Sequence, residues 1–134
     1  MRAILIDPFT REITEVEHND DFRQIYEFIG ADAFDAATLL EDRQVIYVDD
    51  EGLFRDDQKF WSIEGRVLGG KGLVLGVNAA GESIAAVGSI EEWRKRVRWR
   101  KLKFVRMRTT EQKVGGMFRI NSIPVFDVLP GDDD

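Results

Sequence analysis

Residues 89–108 read SIEEWRKRVRWRKLKFVRMR, and the period of the apolar positions changes inside this stretch. Ile90, Trp93 and Val97 recur at helical spacing, behind a Ser89 suited to capping and with Glu91 and Glu92 in the first turn. Beyond Trp99 the residues Lys101, Leu102, Lys103 and Phe104 alternate, the pattern of a half-covered strand, up to a bulge at Val105. The spacing predicts a helix over 89–98 that passes directly into a strand. Little chain is left for the long crossover that parallel neighbours require.

The same economy holds along the rest of the chain. RAILID at 2–7 and REITEVEH at 11–18 are short strands joined through Asp7-Pro8, close enough for a hairpin. Phe22, Ile25, Tyr26 and Ile29 mark one face of a helix over 20–29, with Asn19, Asp20 and Asp21 at its start and Gly30 at its end. The segment 31–40 alternates at Phe34, Ala36, Thr38 and Leu40 and reads as a strand, and Val45–Val48 is another. QKFWSIEGRVL, residues 58–68, reads as irregular chain covering the sheet. Strands follow at 72–77 and 82–86, and a glycine pair at 115–116 precedes a last strand or two in MFRINSIPVFDVLP. Closely spaced strand pairs with two helices define an α+β class with a mainly antiparallel sheet. One domain is expected over 1–130, with 131–134 a disordered acidic tail.

Composition fits one globular domain: 134 residues, 43% hydrophobic, with nine Phe and three Trp. There is no cysteine, which excludes disulfides, thiolate metal sites and a cysteine nucleophile and fits a cytoplasmic setting. The first residues, MRAILID, do not have the form of a signal peptide, and no apolar run is long enough for a membrane helix. Neither a cofactor nor a membrane partner is expected.

The charges are unevenly placed. The net charge is -6, yet residues 94–108 carry nine Lys or Arg and no carboxylate, while residues 1–57 carry sixteen Asp or Glu and five Arg. Two readings of the basic segment compete. In one, Arg94, Arg96, Arg98, Arg100, Lys101, Lys103, Arg106 and Arg108 contact nucleic-acid phosphates, with Trp99 available for stacking. In the other, Trp93, Val97, Leu102 and Phe104 are core and the cations are solvated, or are neutralised by the protein's own carboxylates within one chain or by self-association. A protein partner from host or phage is a further possibility. The acidic residues Glu12, Glu15, Glu17, Asp20, Asp21 and Glu27 would then imitate DNA towards a host protein.

Other chemistry is thin. Asp49, Asp50 and Glu51, with Asp56 and Asp57 nearby, are a candidate Mg²⁺ or Ca²⁺ site and the basis of an alternative enzyme reading, although Asp and Gly are also ordinary turn formers. GGKG at 69–72 departs from a phosphate-binding loop, lacking both the Ser or Thr and the following helix. The single His18 reads as an exposed residue beside a helix cap. No catalytic residue is assigned.

Four blocks, AILIDPFTREITEV, DFRQIYEFIGADAFDAATL, VIYVDDEGLF and LGGKGLVLGVNAAGES, resemble in this order a family of small proteins of unknown function encoded by tailed phages and bacteria. The resemblance covers roughly residues 1–105. It implies a small cytoplasmic accessory protein of phage or mobile-element origin and carries no catalytic residues. Residues 109–134 lie outside it, leaving room there for a partner-specific function.

Overall fold

The computed structural model describes residues 1–31 and 33–132. In chain order the elements are β1 (Arg2–Asp7), β2 (Glu12–Glu17), α1 (Arg23–Ile29), β3 (Phe34–Leu39) and β4 (Gln44–Asp49). A single 3-10 turn over Gly52–Phe54 leads to β5 (Phe60–Ile63), β6 (Arg66–Gly69), β7 (Gly72–Val77) and β8 (Ser83–Ile84). Then come α2 (Ile90–Arg96), β9 (Arg98–Arg100), β10 (Leu102–Val114) and β11 (Met117–Val128). Every strand pairing is antiparallel, as the short connections require.

The central sheet has the order β2-β1-β7-β4-β3, with β8 also on β7. Its middle strands are covered on both faces. Ile4, Ile6, Ile46 and Val74 pack with Trp61, Ile63, Leu68, Trp93 and Val97. Ala3, Leu73 and Leu75 pack with Ile25 and Ile29 of α1. The result is three layers: α1, the central sheet, and a small sheet of order β6-β5-β9 accompanied by α2. Burial on both sides explains why GLVLGV in β7 has no polar alternation.

The two fully buried tryptophans are satisfied: Trp61 Nε1 donates to the Gly70 carbonyl at 2.8 Å and Trp93 Nε1 to that of Val87 at 2.9 Å. Gly72 is set by packing, because a Cβ there would lie 2.6 Å from the Trp61 ring.

Several boundaries differ from the sequence reading. The first helix begins at Arg23, because Asn19 and Asp21 spend their side chains on the loop: Asp21 N–H donates to Asn19 Oδ1 and Arg23 N–H to Asp21 Oδ1. Gly30 closes it in the left-handed conformation, φ 65°. The second helix stops at Arg96, since Val97 is extended and feeds β9. Residues 58–68 are not irregular. They contain the β5–β6 hairpin, turning at Glu64 (φ 49°) and Gly65 (φ 77°), the two positive angles of a type I′ turn. Residues 82–86 pair only at Ser83–Ile84.

The last hairpin is the unusual element. β10 and β11 pair over their whole length around Gly115-Gly116 and make a sheet of their own, with a register shift at Val105 where the bulge was expected. Only the root is anchored. Leu102 is buried, Phe104 meets Phe54 and Phe126 edge-on, and Phe126 meets Phe60. From Arg108 to Ile123 every residue on both faces is exposed. At ~3.3 Å per residue this free ribbon reaches about 23 Å beyond its root. Asp132, in the expected tail, is held against Arg100; Asp133 and Asp134 lie outside the described residues.

Candidate nucleic-acid interface

The structure divides the basic segment into two populations. Arg94 and Arg96 lie in the last turn of α2, where cations oppose the negative end of the helix dipole. Arg96 is fully occupied: it stacks over Trp93 at 4.3 Å and its two terminal nitrogens bind Asp42 and Glu64, each at 3.0 Å. Arg98, Trp99 and Arg100 form β9. Trp99 packs against the core, so its ring is structural as well as partly exposed. Arg100 grips Asp132 with Nε and Nη2 at 3.0 and 2.9 Å, and Asp132 also accepts from the Lys101 backbone. Arg100 holds the Asp132 carboxyl below its ordinary pKa, chiefly through this hydrogen bond.

Lys103, Arg106 and Arg108 are the second population, and they stand on the arm. Cross-strand partners share a face of an antiparallel ribbon. One face therefore carries the pairs Lys103–Asp127, Arg106–Val125, Arg108–Ile123, Thr110–Asn121, Gln112–Arg119 and Val114–Met117. The other carries Leu102–Val128, Phe104–Phe126, Met107–Pro124, Thr109–Ser122, Glu111–Ile120 and Lys113–Phe118. The bulge at Val105 matters here, because in a regular strand of the same sequence Arg106 and Arg108 would fall on the face of Phe104. Lys103, Arg106, Arg108 and Arg119 thus share one face, and among the described residues none has a carboxylate within ion-pair distance. Near the tip, Met117 and Phe118 are 75% and 72% exposed. Arg119 was not singled out from the sequence. Its signal was the glycine pair, which folds β11 back so that Arg119 opposes Gln112.

Beside the arm's root a cleft of about 530 Å³ opens between the β1–β2 turn, the strand β5 and the start of β10. It is lined by Phe9, Arg11, Lys59, Trp99, Arg100 and Lys101 among others, and no carboxylate is among its lining residues. This convergence is not legible from the chain order, since residues 11, 59 and 101 are far apart in it.

The acidic turn is built differently from a cation site. Asp49 is largely buried, its Oδ2 is held by Arg55 Nε and its Oδ1 accepts the Glu51 N–H, while Glu51 itself is exposed. Among the described residues no group of three His, Asp or Glu side chains is placed to hold a metal ion. The acidic residues of the first half are partly consumed at home: Glu15 pairs with Arg2, Glu17 with the N-terminal amine and Asp21 with Arg23. Glu12 sits with Glu15 and Glu17 on the edge strand β2, Asp20 precedes α1 and Glu27 lies on it.

His18 is a correction. It is 2% exposed, not a surface residue. Its Nδ1 accepts the Asp20 N–H and its Nε2 is buried without a hydrogen-bond partner among the described residues. Burial pushes its pKa below the ordinary value, against the opposing pull of Asp20.

The fold and site together define a small α+β scaffold carrying a projecting β-ribbon. The chain belongs to a family described as a domain of unknown function (DUF3846), whose sequence profile matches residues 1–98. No curated protein and no solved structure matches the chain. The matched part contains the central sheet, both helices and the β5–β6 hairpin, and it stops at the first residue of β9. The arm lies outside the matched residues. No helix among the described residues is long and apolar enough to cross a membrane.

Proposed function

We propose that this protein is a non-enzymatic accessory protein that contacts nucleic acid through the cationic face of the β10–β11 arm. The observation that carries this reading is the row Lys103, Arg106, Arg108 and Arg119, which makes no ion pair among the described residues and runs along one face of the ribbon from its anchored root into its free part. Net acidity is an objection only while positive and negative charges are close. The arm, residues 102–128, holds five Lys or Arg and two carboxylates, whereas the whole chain is -6. Its tip, about 23 Å beyond the root, is nearly three Debye lengths of ~8 Å away at physiological salt, so Arg119 and the cations toward the tip are the ones screened from the acidic body. A two-stranded ribbon also matches the width of a B-DNA major groove, about 12 Å. Phosphate contacts of this kind position a protein without reading sequence.

The resemblance noted above makes a phage or mobile-element accessory protein of the cytoplasm the natural setting. Self-association, with the basic arm lying on the acidic half of a second copy, is the competing use of the same charges.

The test is fluorescence anisotropy with single- and double-stranded DNA and RNA at low salt, on the whole protein and on a version lacking residues 108–123. Micromolar binding by the whole protein and none by the shortened one is the expected result. Equal binding by both would remove the arm from the interface. Failure of both to bind, together with a dimer that becomes a monomer on shortening, would assign the arm to self-association.

A further inference from the structure

We propose that the cleft at the root of the arm binds a nucleotide, either as a free mononucleotide or as one unit of a polynucleotide chain. The inference stands on the body of the protein and does not require the arm's distal face. Its volume, about 530 Å³, lies within the ~300–1,000 Å³ typical of small-ligand sites. Two chemical features meet there.

The first is an uncompensated positive charge. Arg11, Lys59 and Lys101 come from three separate segments and line one cleft, and none makes an ion pair among the described residues. On a chain with 25 Asp or Glu against 19 Lys or Arg, three such cations without a carboxylate between them favour an anionic group. Asp132 beside the cleft is engaged by Arg100 and the Lys101 backbone.

The second feature is a planar apolar surface. Phe9 is 52% exposed at the cleft, and Trp99 contributes to the same wall. An anion site alone has no use for an exposed phenyl ring, whereas a nucleobase stacks on one at about 1–3 kcal/mol per base.

The backbone beneath both features is fixed. Phe9 N–H donates to Asp7 Oδ1 at 2.9 Å, and Arg11 is held at φ 57°, an angle that non-glycine residues seldom adopt. The Lys59 carbonyl accepts from Gly70 and that of Lys101 from Leu129, both at 2.9 Å. Exposed side chains on a pinned backbone lose less entropy on binding than the same groups on a loose loop.

The experiment is isothermal titration of the full chain with inorganic phosphate, with AMP and with a thymidine hexanucleotide. It is repeated on Phe9→Ala, Arg11→Ala and Lys59→Ala, with thermal melts to confirm that each variant folds. Saturable AMP binding at least tenfold tighter than phosphate is expected, with about a tenfold loss in each variant. Phe9→Ala should leave the weak phosphate binding unchanged. Hexanucleotide binding tighter than AMP and weakened about tenfold by Phe9→Ala would identify a polynucleotide unit as the ligand of the cleft, and hexanucleotide binding that Phe9→Ala leaves unchanged, beside AMP binding that it weakens, a free nucleotide. Phosphate as tight as AMP, or no saturation with either nucleotide ligand, would overturn the assignment. Substitutions on the outer arm should not change AMP affinity, so failure of this site and failure of the arm are separable.

Discussion

At the residue scale, two positions carry more of the fold than their side chains advertise. Gly72 lets β7 lie against the Trp61 ring, and a methyl group there would be 2.6 Å from the indole. Gly72→Ala should therefore destabilise by about 1–3 kcal/mol, read as a lower urea midpoint with an unchanged slope. His18 is the titratable residue whose burial matters. Because its folded pKa is depressed, stability is insensitive to its ionisation above about pH 6.5. Below that value the unfolded chain takes up the proton more readily, so stability falls with acid until the folded pKa is reached. Urea midpoints should drop between pH 7 and 5.5 in the wild type and much less in His18→Asn, which keeps an acceptor for the Asp20 N–H. An identical drop in both would remove His18 as the cause. Nothing in the sequence around His18 marked it as buried; it is the fold that closes over it.

At the element scale, legibility followed coverage. β2 and α1 were readable because each has one covered and one wet face, so polarity alternates with the local period, and β1 because its aliphatic run is ended by Asp7-Pro8. The β5–β6 hairpin was not, since all four residues of β5 are buried and no alternation remains. Its Glu64-Gly65 turn is also a weaker signal than Asn-Gly or Asp-Gly. The arm failed to read as one element for the opposite reason: Thr109 to Lys113 are wet on both faces, and such a strand looks like loop. The cations of 94–108 were visible, but their split was not, because it depends on β9 joining the small sheet and on one bulged residue at Val105. An isolated ribbon contributes little to the stability of the body it leaves. Excising residues 108–123 and joining Met107 to Pro124 through Asn-Gly should leave the melting temperature within a few degrees of the wild type. A fall of more than 10 °C would mean that the distal arm packs on the body.

At the scale of the whole molecule, the protein separates its charges in space. Arg96 is closed by Asp42 and Glu64 and Arg100 by Asp132, while Arg106, Arg108 and Arg119 on the arm have no ion-pair partner among the described residues. Surface ion pairs such as those of Arg96 are worth only ~0–1 kcal/mol each, so their importance is in withdrawing Arg96 from the cations that an anion can reach. The most direct test of this division is the salt dependence of DNA affinity, measured for the wild type and for Arg106→Ala/Arg108→Ala/Arg119→Ala. Each lost phosphate contact should flatten the slope of log K against log salt by roughly 0.7–0.9. A triple variant with a slope shallower by about two to three would place these arginines on phosphates. The same slope in both proteins would show that nucleic acid, if bound at all, is held elsewhere.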